Sequence, residues 1–211
     1  YIPLWIGAVL FFMITEQAAG KMATFAESNT DLRLPFFGWS TTAEAYQSVN
    51  PAAIVLLAPL IGMLFTRRVG RFPSTIMKFV IAVLIVGLSA LMLGYGFQIW
   101  PGGQDLSPWW FLVLVYVIQT VAELFLTPVG LATTTALAPK SFASQAMGLW
   151  WLSVATGQGV AGFIIAQTKD ISDSTYYYGL GAATLLMALV LLVVTPWTQR
   201  KMADVGVASQ D

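Results

Sequence analysis

The stretch WWFLVLVYVIQTVAELFLTPVGLA, residues 109–132, decides the fold. It is long and apolar enough to cross a bilayer as one helix, which takes about 20 residues, and its single ionisable acid is Glu123. A charge at that depth costs roughly 2.5–3.5 kcal/mol on insertion scales, so the carboxylate needs a partner, a proton or a water-filled cavity. Thr127 and Pro128 follow one turn later on the same face. We therefore predict a membrane-spanning helix with a functional carboxylate near its centre.

The composition of the whole chain indicates a polytopic membrane protein. Hydrophobic residues make up 57% of the chain and charged residues 9%, whereas a soluble domain carries about 25% charged residues. The net charge of zero gives no indication of nucleic-acid binding. Cysteine and histidine are absent, which removes thiol chemistry, Ser-His nucleophilic pairs and histidine-ligated metals. We expect a protein embedded in the lipid bilayer that is not an enzyme and needs no cofactor.

Six apolar segments of about 20 residues divide the chain, which predicts an all-α membrane protein with six transmembrane helices. The predicted spans are Pro3–Ala26, Ala43–Phe65, Ile76–Phe97, Pro108–Ala136, Ala143–Thr168 and Tyr176–Val194. We predict that residues 1–200 form this bundle and that residues 201–211 form a short cytoplasmic tail. Because the chain opens at Tyr1 in an apolar run without a charged leader, we expect it to be a piece of a longer polypeptide.

Most of the basic residues lie in the even-numbered loops and after the last segment, and this distribution predicts the orientation of the bundle. The basic residues at these positions are Arg67, Arg68, Arg71, Lys140, Arg200 and Lys201. Cytoplasmic loops carry the excess of Lys and Arg in membrane proteins. We therefore predict that these loops and both ends of the chain face the cytoplasm, with the protein in the cell (inner) membrane.

Other polar residues within the apolar segments are candidates for function. Glu16 lies near the middle of the first segment, too deep to reach the surface easily, and we interpret it as a proton-carrying group or a buried salt-bridge partner. Asn50 precedes Pro51, so its backbone is biased away from the α region. Its amide either projects into a cavity or forms a turn at the start of the helix. Gln47 lies one turn earlier on the same face.

A longer stretch, AELFLTPVGLATTTALAPKSFASQAMGLWWLS at residues 122–153, carries several spaced motifs. It resembles the tenth and eleventh helices of the proton-coupled oligopeptide transporter family, a branch of the major facilitator superfamily. That family's pattern is a helix with a leading Glu and Ser-Pro-x-Gly, then Leu-Ala-Pro, then Met-x-Leu-Trp. In this register, Glu16-Gln17 matches the seventh helix and QSVNP (residues 47–51) matches the eighth. The resemblance covers nearly the whole chain as six helices, one half of a major facilitator superfamily fold.

The resemblance implies a role for each candidate residue. Glu123 would pair with the terminal amine of a peptide, or with a lysine of the other half when the site is empty. Asn50 would accept a hydrogen bond from the same amine, Trp150 would line a side-chain pocket, and Glu16 would carry the coupling proton. We predict that these four residues face one cavity. The full predicted substrate-binding set is Gln47, Asn50, Glu123, Thr127, Trp150 and Trp151.

The resemblance therefore implies the carboxy-terminal half of a proton-coupled symporter for di- and tripeptides. Protons are the coupling ion, and the missing amino-terminal six-helix half is the expected partner. The residues alone leave alternatives open: half of a transporter for another small solute, a cation channel that uses the intramembrane carboxylates, or a structural scaffold. An intramembrane protease is disfavoured, because the rhomboid type needs a histidine and every Asp of this chain lies in a predicted loop or tail.

Overall fold

The computed structural model describes residues 2–34, 39–67, 74–138 and 142–204. Within these ranges the chain is almost entirely helical, which confirms the predicted all-α class. The α-helices are α1 (Ile2–Thr15), α2 (Lys21–Asn29), α3 (Val49–Arg67), α4 (Thr75–Ile99), α5 (Trp109–Leu137), α6 (Ala143–Gln167) and α7 (Asp173–Asp204). Short 3-10 helices, Glu16–Ala19 and Ala43–Ser48, precede α2 and α3.

Five of the described helical stretches are long and apolar enough to cross a membrane. They are Ala43–Phe65, Ile76–Ile99, Trp109–Ala136, Gln145–Gln167 and Asp173–Arg200. These stretches coincide with the second to sixth predicted segments. The first segment instead contains a shorter apolar helix, Ile2–Thr15, followed by a change of direction.

The predicted first span, Pro3–Ala26, is broken in its middle, so a single continuous helix was the wrong expectation there. The 3-10 helix Glu16–Ala19 follows α1, and Gly20 then takes a non-helical conformation with φ −111° and ψ −118° before α2 begins. Part of the reason is local. The side-chain amide of Gln17 donates to the carbonyl of Met13 at 2.6 Å, which is the acceptor that an α-helical N–H of residue 17 would use.

The last helix is longer than predicted. The sixth apolar segment ends at Val194 in the sequence prediction, but α7 continues through Pro196 to Asp204. Proline leaves a carbonyl without its usual donor, and nearby hydroxyl groups help to satisfy backbone groups in such membrane helices. The carbonyl that Pro196 deprives of a donor is that of Leu192, and the hydroxyl of Thr195 donates to the neighbouring carbonyl of Leu191 at 2.7 Å. The division between a bundle at 1–200 and a tail at 201–211 stays a prediction, and residues 205–211 lie outside the described ranges.

Contacts between neighbouring helices form one bundle: α4 packs against α5 and α7, α1 against α6, and α3 against α5. The largest fully buried side chains include Phe11, Ile14, Phe25, Tyr116 and Tyr177. Where α1 and α6 meet, a Cβ at Gly157 would lie 2.9 Å from the backbone oxygen of Val9. A glycine is therefore required for this close approach, as is common between membrane helices.

The predicted orientation in the membrane stays a prediction. Arg68, Arg71 and Lys140, on which much of that prediction depends, lie outside the described residues. Among the described faces, α3 is the most peripheral, since Val55 and Leu56 are each 70% or more exposed. Apolar faces of this kind require either lipid or another protein surface as a neighbour.

Candidate binding and proton site

Glu123 and Asn50, which the sequence places in separate segments, meet in the structure. The Nδ2 atom of Asn50 donates a hydrogen bond of 3.2 Å to Oε2 of Glu123. Asn50 lies in the first turn of α3, directly after the 3-10 helix Ala43–Ser48. Its backbone is helical, so the expected bias away from the α region was wrong. Its amide nevertheless points into the bundle at Glu123, as the cavity interpretation requires.

Two more polar side chains extend this site along α5, one turn on either side of Glu123. Gln119 is 2% exposed, and its Nε2 has no hydrogen-bond partner among the described residues. The hydroxyl of Thr127 is also buried without a partner in the described part of the chain. Buried polar atoms nearly always have partners in native proteins, so both groups are available to water or to a ligand. Gln119 is absent from the predicted site, although its spacing of four residues from Glu123 was a usable sequence signal.

Glu16 lies at the break in the first segment, where its side chain reaches α6. Its Oε2 accepts a hydrogen bond of 2.7 Å from Nε2 of Gln158. On this chain Glu16 is exposed, and its depth in the membrane stays a prediction. Gln158 was not identified in the sequence, because a lone glutamine in an apolar helix gives no indication of its partner.

The tryptophans and Gln47 occupy different surroundings. Trp150 is 2% exposed and packs edge-on against Phe12, with 5.7 Å between ring centroids. Its ring covers Gly130, where a Cβ would lie 2.0 Å from a ring carbon. Gly130 follows Glu123 by about two turns of α5. Trp151, at 57%, is exposed, and so is Gln47.

A small cavity of about 10 Å³ lies beside the Trp150 ring, and its size is close to the minimum for one water molecule. It is lined by Leu4, Trp5, Phe79, Gly130, Thr133, Thr134 and Trp150. The indole N–H of Trp150 has no partner among the described residues. A separate open pocket of about 190 Å³ lies between the segment that precedes α3 and the start of α5. Its lining includes Tyr46, Val49 and Trp109.

The broken segment is anchored to α7 on the side away from Gln158. The amide of Gln17 donates to the hydroxyl of Tyr176 at 2.8 Å and accepts from the hydroxyl of Tyr177 at 2.9 Å. Lys21 forms an ion pair with Asp173, and its ammonium lies 4.9 Å from the centroid of the Tyr176 ring. These contacts fix the backbone around Glu16, because they attach the residues that follow it to a long helix.

The groups at this site are suited to binding a charged ligand. It contains two carboxylates, several side-chain amides and a hydroxyl, and no cluster of His, Cys, Asp and Glu in the described ranges could hold a metal ion. A carboxylate with an amide beside it recognises a compact cation such as an amine or a proton. Fold and site together therefore define a polytopic membrane protein with a polar site for a cationic group inside an apolar bundle.

The family model for the POT family matches residues 1–186 of this chain. The chain therefore belongs to the POT family, as its motifs predicted. It is 35% identical over 206 residues to the uncharacterized transporter YclF of Bacillus subtilis (strain 168). It is 33% identical over 208 residues to a di-/tripeptide transporter of Lactococcus lactis subsp. lactis (strain IL1403). Each match covers 97% of this chain and 41% of the relative, so the chain spans about two fifths of their length.

Solved structures of the same family have the same fold. The crystal structure of the peptide transporter POT in complex with alafosfalin superimposes with a TM-score of 0.87 at 33% identity, over 95% of this chain and 40% of that one. A POT family transporter in complex with a thioalcohol conjugated peptide gives a TM-score of 0.84 at 34% identity, over 93% of this chain and 40% of that one. The predicted fold, one half of a facilitator-type transporter, is confirmed by these similarities.

Proposed function

We propose that this chain is the carboxy-terminal half of a proton-coupled symporter for di- and tripeptides. In this proposal it supplies the site for the amino terminus of the peptide and a carboxylate that carries the coupling proton. The observation that carries the proposal is the hydrogen bond between Asn50 and Glu123 in a chain of the POT family. Transport moves the peptide without changing it chemically, which agrees with a site that has charged and amide groups.

The Asn50–Glu123 pair suits a terminal amine. An ammonium group has three donors and no acceptor. Glu123 offers two carboxylate oxygens, of which Oε2 accepts from Asn50 in this structure. When an amine binds, rotation of the Asn50 amide turns its oxygen towards the amine and leaves the carboxylate to pair with the charge. Asn50 thus satisfies Glu123 in the empty site and becomes an acceptor in the occupied one.

Such a site recognises the charged end that all peptides share, so it tolerates different side chains. Charge-assisted hydrogen bonds are stronger than neutral ones and give the amine its fixed position. The unpartnered hydroxyl of Thr127 lies one turn from Glu123 and is available to the same ligand. We assign the peptide side chains to surfaces that include Gln47, Trp150 and Trp151. For Trp150 this requires that the ring be reached from the cavity between the two halves.

We assign proton coupling to Glu16. Its partner in this chain is the neutral amide of Gln158, so taking up a proton breaks no ion pair between described residues. In this proposal Glu16 and Glu123 line the same cavity, so a cationic amine that binds Glu123 changes the charge within that cavity and links peptide binding to proton exchange.

The partner in this proposal is an amino-terminal six-helix half, since the chain covers 41% of its relatives. Exposed polar residues such as Glu16 and Gln158 would then face the cavity between the halves. We place the protein in the cell (inner) membrane, with both ends of this segment in the cytoplasm.

Uptake by proteoliposomes tests the proposal. The full-length transporter is reconstituted, and uptake of a labelled dipeptide is measured with and without an inward proton gradient. We expect saturable uptake that the gradient drives above equilibrium and that unlabelled dipeptide competes away. Flux that neither saturates nor responds to competing peptide would contradict the proposal and favour a channel. Saturable uptake of a different solute, without transport of dipeptide, would favour a transporter with another substrate.

A further inference from the structure

The contact between Gln158 and Glu16 lies next to a close approach of α1 and α6, just after the last residue of α1. Gln158 follows Gly157, where a Cβ would lie 2.9 Å from the backbone oxygen of Val9 and 3.1 Å from the backbone nitrogen of Met13. The absent side chain at residue 157 lets the two backbones come together. The adjacent glutamine can therefore reach the carboxylate at 2.7 Å.

The helices that carry this pair are held together elsewhere as well. The indole nitrogen of Trp5 on α1 donates to the backbone oxygen of Leu149 on α6 at 3.1 Å. On the opposite side, Gln17 is bound to Tyr176 and Tyr177 of α7. The backbone around Glu16 is therefore fixed by other contacts, so the Gln158 bond acts on the carboxyl group itself.

The surroundings of Glu16 contain few ionisable groups. The sequences of α1 and α6 contain none. The one carboxylate in the sequence of α5 is Glu123. On α2 the first cation is Lys21, which is already paired with Asp173 of α7. Within the described ranges, the hydrogen bond that the Glu16 carboxylate accepts comes from a neutral amide.

An amide can serve a carboxyl group in both of its protonation states. It donates through Nε2 to an ionised carboxylate, and after the amide rotates its oxygen accepts from a protonated carboxyl. A lysine or arginine in the same place would favour the ionised state alone, because protonation would leave a cation without its partner. A glutamine therefore holds the group in place without fixing its charge.

We propose that Gln158 is a positioning residue that holds the Glu16 carboxyl in one place in its protonated and ionised forms. Proton exchange at Glu16 then requires a rotation of the Gln158 amide and no movement of the helices. This inference rests on the proposed function, in which Glu16 carries the coupling proton. The effect of Gln158 on the Glu16 carboxyl can be measured without measuring transport, so the two proposals can be tested separately.

The experiment uses the full-length transporter with the substitutions Gln158→Lys, Gln158→Glu and Gln158→Met. The carboxyl band of Glu16 is identified in infrared difference spectra as the band that disappears in Glu16→Gln, and its intensity is followed against pH. A charge on a direct neighbour moves a titration midpoint by about one pH unit or more. We expect the midpoint to move to lower pH in Gln158→Lys and to higher pH in Gln158→Glu. Gln158→Met, which only removes the hydrogen bond, should give a smaller move to higher pH.

Gln145→Lys is the matched control, because Gln145 is exposed on the same helix and lies about 20 Å along its axis from Gln158. We expect the Glu16 band to titrate as in the wild type in this variant. Equal midpoints in Gln158→Lys and Gln145→Lys would overturn the inference. A structural role would lower the folded yield, but it would not move the midpoint in opposite directions for the two charges. If Gln158→Lys does not fold, the direction of the shift in Gln158→Glu and Gln158→Met decides.

Dipeptide uptake as a function of pH separates this inference from the proposed function. If Glu16 is the coupling group, the pH profile of gradient-driven uptake moves in the same directions as the infrared midpoints. If the infrared midpoints move but Glu16→Gln still accumulates dipeptide with the gradient, Gln158 positions Glu16 as inferred and the coupling role of Glu16 is wrong. If Glu16→Gln loses driven uptake but the midpoints do not move, the coupling role stands and the inference fails.

Discussion

Asn50 at the start of α3 donates a 3.2 Å hydrogen bond to the carboxylate of Glu123 in α5, across 73 residues of sequence. The pair has two roles in the structure. It forms the core of the proposed amine site, and it is one of the polar contacts that attach the peripheral α3 to the bundle. In the 3-10 helix just before α3, the hydroxyl of Tyr46 donates to the backbone oxygen of Trp109 at 3.3 Å and so attaches the start of this helical stretch as well. Substrate binding and the docking of α3 should therefore be coupled at this pair.

We expect Asn50→Ala to weaken dipeptide binding, because it removes both the acceptor for the amine and the donor that satisfies Glu123. The loss of a hydrogen bond to a charged group costs about 1.5–3 kcal/mol. The dissociation constant, measured by calorimetry on the full-length transporter, should rise about 10- to 100-fold. Ser48→Ala is the control, since its exposed hydroxyl bonds only locally, to the backbone oxygen of Ala45 among the described residues. In the double variant Asn50→Ala/Glu123→Gln, the loss of binding free energy should be smaller than the sum of the losses in the two single variants. A loss equal to that sum would indicate that the two residues act independently.

The anchoring of the broken segment predicts unequal effects of two neighbouring tyrosines. Tyr177 is fully buried and donates to Gln17, whereas Tyr178 donates to the exposed Gln98 at 2.7 Å. Tyr177→Phe leaves a buried amide oxygen without this donor and should lower the free energy of unfolding by about 1–3 kcal/mol. Tyr178→Phe should change it by less than about 0.5 kcal/mol. Thermal unfolding in detergent compares the two, and equal stabilities would contradict the anchoring role of Gln17.

The close approach of α1 and α6 predicts different costs for the same substitution at two glycines of α6. Gly157→Ala brings a methyl group against backbone atoms of α1, which have no side-chain freedom to move away. The free energy of unfolding should fall by about 1–3 kcal/mol. Gly162→Ala has nothing within 4 Å among the described residues, so it should be neutral or stabilise the helix by up to about 1 kcal/mol. If both variants behave alike, the helices are not in contact at Gly157.

Glu16→Gln separates a coupling role from a structural one. The new amide can still bond to the Gln158 amide, so we expect a normal folded yield. Gradient-driven accumulation of dipeptide should be lost, while counterflow, which needs only the binding site and alternating access, should remain. Folded yield, gradient-driven accumulation and counterflow are all measured on the same purified variant. Normal driven accumulation would reject coupling through Glu16. Loss of accumulation and counterflow together with poor folding would favour a structural partner, such as a cation in the other half.

The sequence predicted the elements that depend on the cost of burying charge. Glu123 and Asn50 were identifiable because polar groups inside apolar segments cost free energy to place in a membrane and usually have a function there. The family resemblance then implied that both residues bind the same amine, but it did not predict the hydrogen bond between them. The five long helices were also predictable, because length and apolar composition are properties of each segment by itself.

The sequence did not predict features that depend on distant partners. The break at residues 16–20 is stabilised by Gln17 binding to Tyr176 and Tyr177, residues that lie far along the chain. Gln119 and Gln158 are neutral, so they cost less to bury than Glu123 and are less conspicuous in an apolar helix. The ring of Trp150 packs over Gly130, a contact that depends on how α5 and α6 cross. Its predicted place in one cavity with Glu123 stays a prediction.

The most direct test of the amine site compares a free and an amino-terminally acetylated dipeptide on wild-type and Glu123→Gln transporter. The binding constant of the free dipeptide should weaken about 10- to 100-fold in Glu123→Gln, because the charge-assisted contact, roughly 1.5–3 kcal/mol, becomes neutral. The acetylated dipeptide has no ammonium group, so its already weak binding should be almost the same in both proteins. If the wild type and Glu123→Gln discriminate equally between the two peptides, Glu123 does not bind the amine and the central assignment is wrong.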